Sequence, residues 1–199
     1  MDEEESVEAL NRKEREENPQ SAQRNAVMNG SKGKKTASPK ASRPYMPGYG
    51  LPKGTKGLLP WNWADERLKK SHNYWVVTTR PDGKPHLMLV WGLWMDGGFY
   101  FSTGRQSRKA KNLEANAHCV IATERADQAV IMEGVAEEVG DVELRRRFIR
   151  IYERKYDWDM SSFEEPILSL KEPIYVVRPT VAFGLDEKKF LNAATRWRF

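Results

Sequence analysis

Apolar and polar positions alternate with two different periods along this chain, and from residue 59 onward they mark out strands punctuated by short helices. Trp61, Ala64 and Leu68 recur at helical spacing within Trp61–Lys70 and predict a short helix opened by Pro60 or Asn62. A β-branched and aromatic run, Tyr74–Thr79, then leads through Arg80-Pro81-Asp82-Gly83-Lys84 into a second apolar run, Pro85–Trp94. Met95-Asp96-Gly97-Gly98 delivers the chain to Phe99–Phe101. Glycine-containing turns between such runs are hairpin signals, so three antiparallel strands follow one another. Further strands are expected over 119–123, 128–137, 174–179 and 181–184, and a helix begins near Ser107. Asp141 caps a helix running to about Tyr156, with Leu144, Phe148, Ile151 and Tyr152 turned inward. Arg145, Arg146, Arg150, Glu153 and Arg154 form its solvated face. Strands that follow one another without crossover helices imply an antiparallel, barrel-like sheet: mainly β with flanking helices, an α+β fold.

Residues 1–58 have a different composition, rich in Gly, Ser, Pro, Asn and Lys and poor in large apolar groups. Such a segment buries too little apolar surface to offset its ordering entropy, which predicts a disordered, charged tail before a folded domain over 59–199. Positions 1–17 hold eight acidic and three basic residues, whereas 18–58 hold eight basic and no acidic ones. The tail therefore carries +3 of the net +5, and the basic balance is no argument that the folded domain binds nucleic acid. No run approaches the ~20 apolar residues of a membrane span, and the acidic beginning lacks a secretory signal. A single cysteine, Cys119, sits in an apolar run, so packing is expected there and a reducing, cytoplasmic setting overall.

The stretch Phe101-Ser102-Thr103-Gly104-Arg105-Gln106-Ser107-Arg108-Lys109-Ala110-Lys111-Asn112-Leu113 carries the chemistry. A strand end, a tight polar turn and a helix start bring unpaired backbone N–H groups, a hydroxyl and two cations around one point, a cradle suited to phosphate. A solvated basic helix start accounts for the same residues. Glycine-rich dinucleotide or P-loop motifs and a nucleophile elbow are absent from the chain, and His72, His86 and His118 show no zinc-type spacing.

The strand–P-D-G–strand hairpin, the D-G-G hairpin and above all F-S-T-G-R-Q-S-R-K-A-K-N-L resemble the pyridoxamine 5′-phosphate oxidase-like, FMN-binding split-barrel superfamily. The likeness covers about residues 59–139 well. W-N-W-A-D-E-R-L, V-W-G-L-W and A-T-R-W-R-F are similar to the branch that includes coenzyme F420-dependent reductases. The resemblance implies that Ser102, Thr103, Ser107, Arg108 and Lys109 hold a cofactor phosphate. It also implies that the strand His86, Leu87, Met88, Leu89, Val90 and Trp91 runs along the ring of FMN or F420. Vitamin B6 oxidases place an arginine and a lysine at the ends of that strand; here His86 and Trp91 stand there, and their Arg-Leu-Ala-Pro ending is missing. Oxidation of pyridoxine phosphate is therefore not implied.

These readings converge on an oxidoreductase binding F420 or FMN and moving hydride to or from a small-molecule substrate. The catalytic residues stay unassigned, no metal is expected, and a homodimer with cofactor sites at the seam is. Trp91 and Trp94 suit a pocket wall, a dimer seam or core packing equally. The alternative is a non-catalytic carrier of a cofactor, haem or tetrapyrrole on the same barrel.

Overall fold

The computed structural model describes residues 38–199, and the described chain is built on one nine-stranded sheet, antiparallel throughout. Its strands are β1 (Lys40–Ser42), β2 (Tyr74–Thr79), β3 (Pro85–Val90), β4 (Leu93–Met95), β5 (Gly98–Ser102), β6 (His118–Thr123), β7 (Gln128–Glu138), β8 (Ile174–Asp186) and β9 (Thr195–Arg198). The principal order is β1-β9-β8-β7-β6-β2-β3, which leaves β3 at an edge. The 13-residue β8 pairs β7 along most of its length, β9 through Val181–Gly184 and β5 through Ile174–Val177. One long strand thus serves two partners on the same edge, and the barrel is split.

Five helices flank the sheet: α1 (Trp61–Lys70), α2 (Arg108–Ala115), α3 (Val142–Tyr156), α4 (Ser161–Leu168) and the single turn α5 (Phe190–Ala193). The expected starts hold. Ser107 caps α2 by accepting the Ala110 N–H at 3.1 Å, and Asp141 caps α3 by accepting the Leu144 N–H at 2.9 Å.

Two apolar clusters form the interior. The barrel core gathers Tyr74, Val76, Phe99, Phe101, Ile121, Met132 and Trp197, while a second cluster under α3 and α4 holds Tyr100, Phe148, Tyr156, Met160 and Ile167. Strand alternation explains why β5 is buried on both faces: Phe99 and Phe101 enter the barrel and Tyr100 the second cluster. Trp94 is also core, its indole N–H donating to Asp65 at 2.7 Å.

Four expectations are corrected. Ordered chain begins before residue 59: β1 pairs β9 in the register Lys40↔Arg198, and the Arg43 guanidinium donates to the carbonyls of Lys56, Asn192 and Ala194. Backbone pairing and a long cation supply there what apolar side chains do not. The remainder of the expected tail, residues 1–37, lies outside the described residues. The apolar run 85–94 is two strands, β3 paired with β2 and β4 with β5. Gly92 breaks it, because a Cβ there would strike the Phe99 ring and come within 2.7 Å of the Tyr100 carbonyl oxygen. The runs 174–179 and 181–184 form one strand, in which Thr180 is the extra residue: Glu133 and Gly134 of β7 pair with Val181 and Pro179 on either side of it. Finally, Arg145 is fully buried rather than solvated. It donates to the carbonyls of Val139, Ile167 and Glu172 and to Glu138, tying α3 and α4 to the sheet.

Among the described residues no helix is long and apolar enough to cross a membrane.

Candidate functional site

The turn between β5 and α2 folds into the cradle that the sequence suggests. Gly104 C=O receives the Ser107 N–H at 2.8 Å, which closes the turn and aims the first turn of α2 at it. The hydroxyls of Thr103 and Ser107 lie 3.1 Å apart, and the Lys109 ammonium donates to Thr103 Oγ1 at 3.2 Å. Lys109 is only 9 % exposed, and among the described residues no carboxylate pairs with it. Burial pushes its ammonium below the ordinary lysine value.

Two further basic side chains stand near it, Arg80 in the turn after β2 and His86 on β3. The His86 imidazole is pushed below its usual value by burial first, then by the positive charges of Arg80, Lys109 and Arg108. His86 Nδ1 lies 3.4 Å from the Thr78 hydroxyl, which accepts from the buried Asn112 amide at 2.9 Å. Arg80 Nε is buried and has no partner within the described chain. Four basic side chains around two hydroxyls and a helix N-terminus favour an anion there. Arg80 escaped the sequence reading because it sits in a hairpin turn, where a solvated cation is the ordinary interpretation.

β3 carries the rest of the expected ring strand. Being an edge, it pairs only with β2, so its outer backbone groups are open. His86, Met88 and Val90 lie opposite Thr78, Val76 and Tyr74 on the barrel face; Val90 is buried and Met88 is 47 % exposed. Leu87 and Leu89, 52 % and 46 % exposed, occupy the other face beside Trp75.

Beyond β3, Trp91 turns inward and stacks on Tyr156, with centroids 4.6 Å apart and planes 4° from parallel. It walls a cavity of about 650 Å³ together with Tyr152, Trp158 and Phe163. The cavity floor reaches Met160 and Ile167, and its other end is bounded by Ser102, Thr103 and Gly104. Thr103 thus belongs to both cradle and cavity. Most of the second wall comes from α4 and the turn before it, which sequence periodicity does not reveal because Pro166 interrupts so short a helix. Arg105 clamps this wall to the turn: its backbone N–H donates to Glu172 at 2.7 Å and its guanidinium to Glu138 and the Leu170 and Lys171 carbonyls.

The Tyr152 phenol is pushed up to about 12 by burial, and Cys119 lies in the barrel core, its thiol likewise pushed up to about 12. What the arrangement offers is an anion cradle at one end and an aromatic chamber at the other.

Several solved structures share this fold. A conserved hypothetical protein of Mycobacterium tuberculosis is 23 % identical with a TM-score of 0.58, covering 69 % of this chain and 90 % of its own. An FAD-binding protein of Mesorhizobium loti is 14 % identical with a TM-score of 0.50, covering 71 % and 96 %. A protein described as F420 reductase is 24 % identical over 59 % of this chain and 94 % of its own, with a TM-score of 0.49. No curated protein matches the chain. The family model described as pyridoxamine 5′-phosphate oxidase matches residues 63–182, a span that holds the cradle, β3 and every residue lining the cavity. Matched over more than half of its 199 residues, the chain belongs to the pyridoxamine 5′-phosphate oxidase family.

Proposed function

We propose that this protein is a split-barrel oxidoreductase that binds a phosphorylated flavin or deazaflavin, FMN or F420, and exchanges hydride with a small organic substrate. Lys109 carries the reading. A buried ammonium without a carboxylate partner among the described residues is costly unless an anion completes it. A phosphate in the cradle satisfies Lys109 and accepts from the hydroxyls of Thr103 and Ser107, with Arg80 adding positive charge nearby, so the residues present fit the group. Arg108 and His86 add charge and a ring N–H. The open edge of β3 offers backbone donors and acceptors to a flat heterocycle, and Trp91 shields it from water. When bound, the cofactor supplies the hydride chemistry; the chain binds, orients and excludes solvent.

F420 is the preferred cofactor on the likeness of W-N-W-A-D-E-R-L and V-W-G-L-W to the F420 branch. The acidic tail of F420 calls for outlying cations. Arg105 does not supply one, being paired with Glu138, which leaves Lys111 beside the turn. Parallel titrations with FMN and reduced F420 decide. At least tenfold tighter F420 binding, about 1.4 kcal/mol, is expected. Tighter FMN binding makes it a flavin enzyme, and binding of neither removes the proposal. A bound cofactor that reduces no acceptor makes the protein a carrier. The same proposal sets the protein in the cytoplasm, where the lone thiol of Cys119 stays reduced.

A further inference from the structure

We infer that His86 is a proton switch on the cradle: its imidazole is neutral without an anion there and takes up one proton when a phosphate binds, so binding tightens as pH falls. The inference rests on the proposed phosphate site and adds how pH regulates it. Thr78 lies opposite His86 on the β2–β3 ladder, and its side chain is buried. Asn112 donates an amide N–H to the Thr78 hydroxyl at 2.9 Å. With that acceptance fixed, Thr78 Oγ1 keeps one hydrogen to give and one lone pair to offer. His86 Nδ1 lies 3.4 Å from it and the His86 carbonyl oxygen 3.5 Å. The neutral ring therefore accepts the Thr78 O–H at Nδ1 and carries its own hydrogen on Nε2. In the protonated ring Nδ1–H donates to Thr78 instead, and the hydroxyl hydrogen turns to the His86 carbonyl. Rotation of one hydroxyl serves both states, and neither leaves Thr78 without partners.

The surroundings select the state. Lys109 and Asn112 lie three residues apart on the buried face of α2, so the Asn112–Thr78 bond sets His86 against the helix face that carries the ammonium. The charges acting on the ring are all positive: Arg80 from the β2–β3 turn, and Lys109 and Arg108 from α2. β2 meets the ring with the neutral Thr78. Burial and these cations hold the imidazole below its usual 6.5, so at pH 7 it is mainly neutral. A phosphate among the same cations brings negative charge and favours the imidazolium, whose proton comes from solvent and takes the Nδ1 lone pair. The bound form then titrates at the higher pH. Affinity is greatest below the titration of the anion-free ring and falls as pH rises through that of the bound one. A phosphate monoester, whose second ionisation lies at about pH 6, gives the opposite sign, since entry among cations drives off its remaining proton.

Two measurements on the full chain test this. Nitrogen-15 spectra resolve the three histidines, and the His86 signals are those lost in His86→Asn. In chloride the Nε2–H tautomer is expected, with a midpoint below 6.5. Inorganic phosphate at the same ionic strength should raise that midpoint by at least about one pH unit. An Nδ1–H tautomer in chloride, or a midpoint that phosphate leaves in place, overturns the inference. Calorimetric titration with FMN at pH 7, in two buffers of different ionisation enthalpy, then counts protons. Net uptake is expected from the wild type and none from His86→Asn. FMN binding without uptake, or uptake that persists in His86→Asn and so belongs to Lys109, also overturns it. A His86 midpoint that rises in phosphate in a protein that binds neither FMN nor F420 upholds the switch and removes only the cofactor reading.

Discussion

The Tyr156 hydroxyl accepts the backbone N–H of Gly92 at 2.8 Å, and the ring of Tyr156 carries Trp91, the residue immediately before that glycine. The last turn of α3 thereby holds the strand break between β3 and β4 by its backbone and its side chain at once. The same hydroxyl lies 2.9 Å from the His72 carbonyl. It also lies 2.8 Å from the Gly92 carbonyl, so Tyr156→Phe keeps the ring stack and deletes all three polar contacts in a buried place. A loss of about 1–3 kcal/mol is expected, roughly 2–12 °C in melting temperature for a domain of this size. Thermal melts check it; an unchanged midpoint would show that the stack alone holds the break.

Lys109→Met separates function from stability. Without an anion, the wild type bears the cost of a buried ammonium that the variant lacks, so the ligand-free variant should melt at or above the wild type. Cofactor affinity should fall by roughly 10–100-fold, the worth of one charge-assisted hydrogen bond of about 1.5–3 kcal/mol. Melting scans and titrations on the same samples read both quantities. A variant that binds as tightly as wild type would remove Lys109 from the cradle.

Much of this was legible in the chain. The turn and cap at Ser107, the two hairpins and the antiparallel architecture follow from local chemistry, since glycine turns and a capping serine act within a few residues. What stayed hidden depends on partners remote in sequence. Arg145 sits among exposed arginines on α3 and resembles them until the carbonyls of Ile167 and Glu172 appear, 22 and 27 residues away. Lys40–Ser42 has no strand pattern of its own and is extended because β9 offers it an edge. The cavity needed α4, whose eight residues include a proline. Arg80 became a site residue only when the β2–β3 hairpin brought its charge near His86.

Lys155 gives stability a distinct pH dependence. Its ammonium donates to Tyr74 Oη at 2.9 Å and Gly92 C=O at 3.0 Å, packed over the rings of Tyr74 and Tyr156. Burial pushes it down to about 8 from an unfolded value near 10.5, with the Glu124 charge opposing. Between those values the unfolded chain holds a proton that the folded chain lacks, so this group makes stability rise as pH passes upward through about 8. Below that the cost of burying the ammonium is present in full. Buried tyrosines act oppositely only near pH 10 and above, as the unfolded phenols ionise. Chemical denaturation at pH 7 and pH 9.5 should therefore show a wild-type gain that Lys155→Met diminishes. Identical slopes in both proteins would contradict the assignment.

The exposed face of β3 leads to the homodimer that we propose. Most of the seven tryptophans need no partner: Trp94 and Trp197 are buried, and Trp61, Trp63 and Trp91 pack within the chain. Trp75 is different. It is 39 % exposed and sits across from Leu89, with Leu87 opposite the half-buried Val77 on the same face. An apolar face on an open edge strand invites association unless a partner covers it. Light scattering at micromolar concentration should return twice the 23.0 kDa chain mass. Leu89→Lys puts a charge into the proposed seam and should shift the mass toward one chain. Because His86 and Met88 occupy the other face of the same strand, losing the partner should also weaken FMN or F420 binding. A wild-type mass of one chain would reject the dimer, and a monomeric Leu89→Lys protein with full cofactor affinity would place the cofactor within a single subunit.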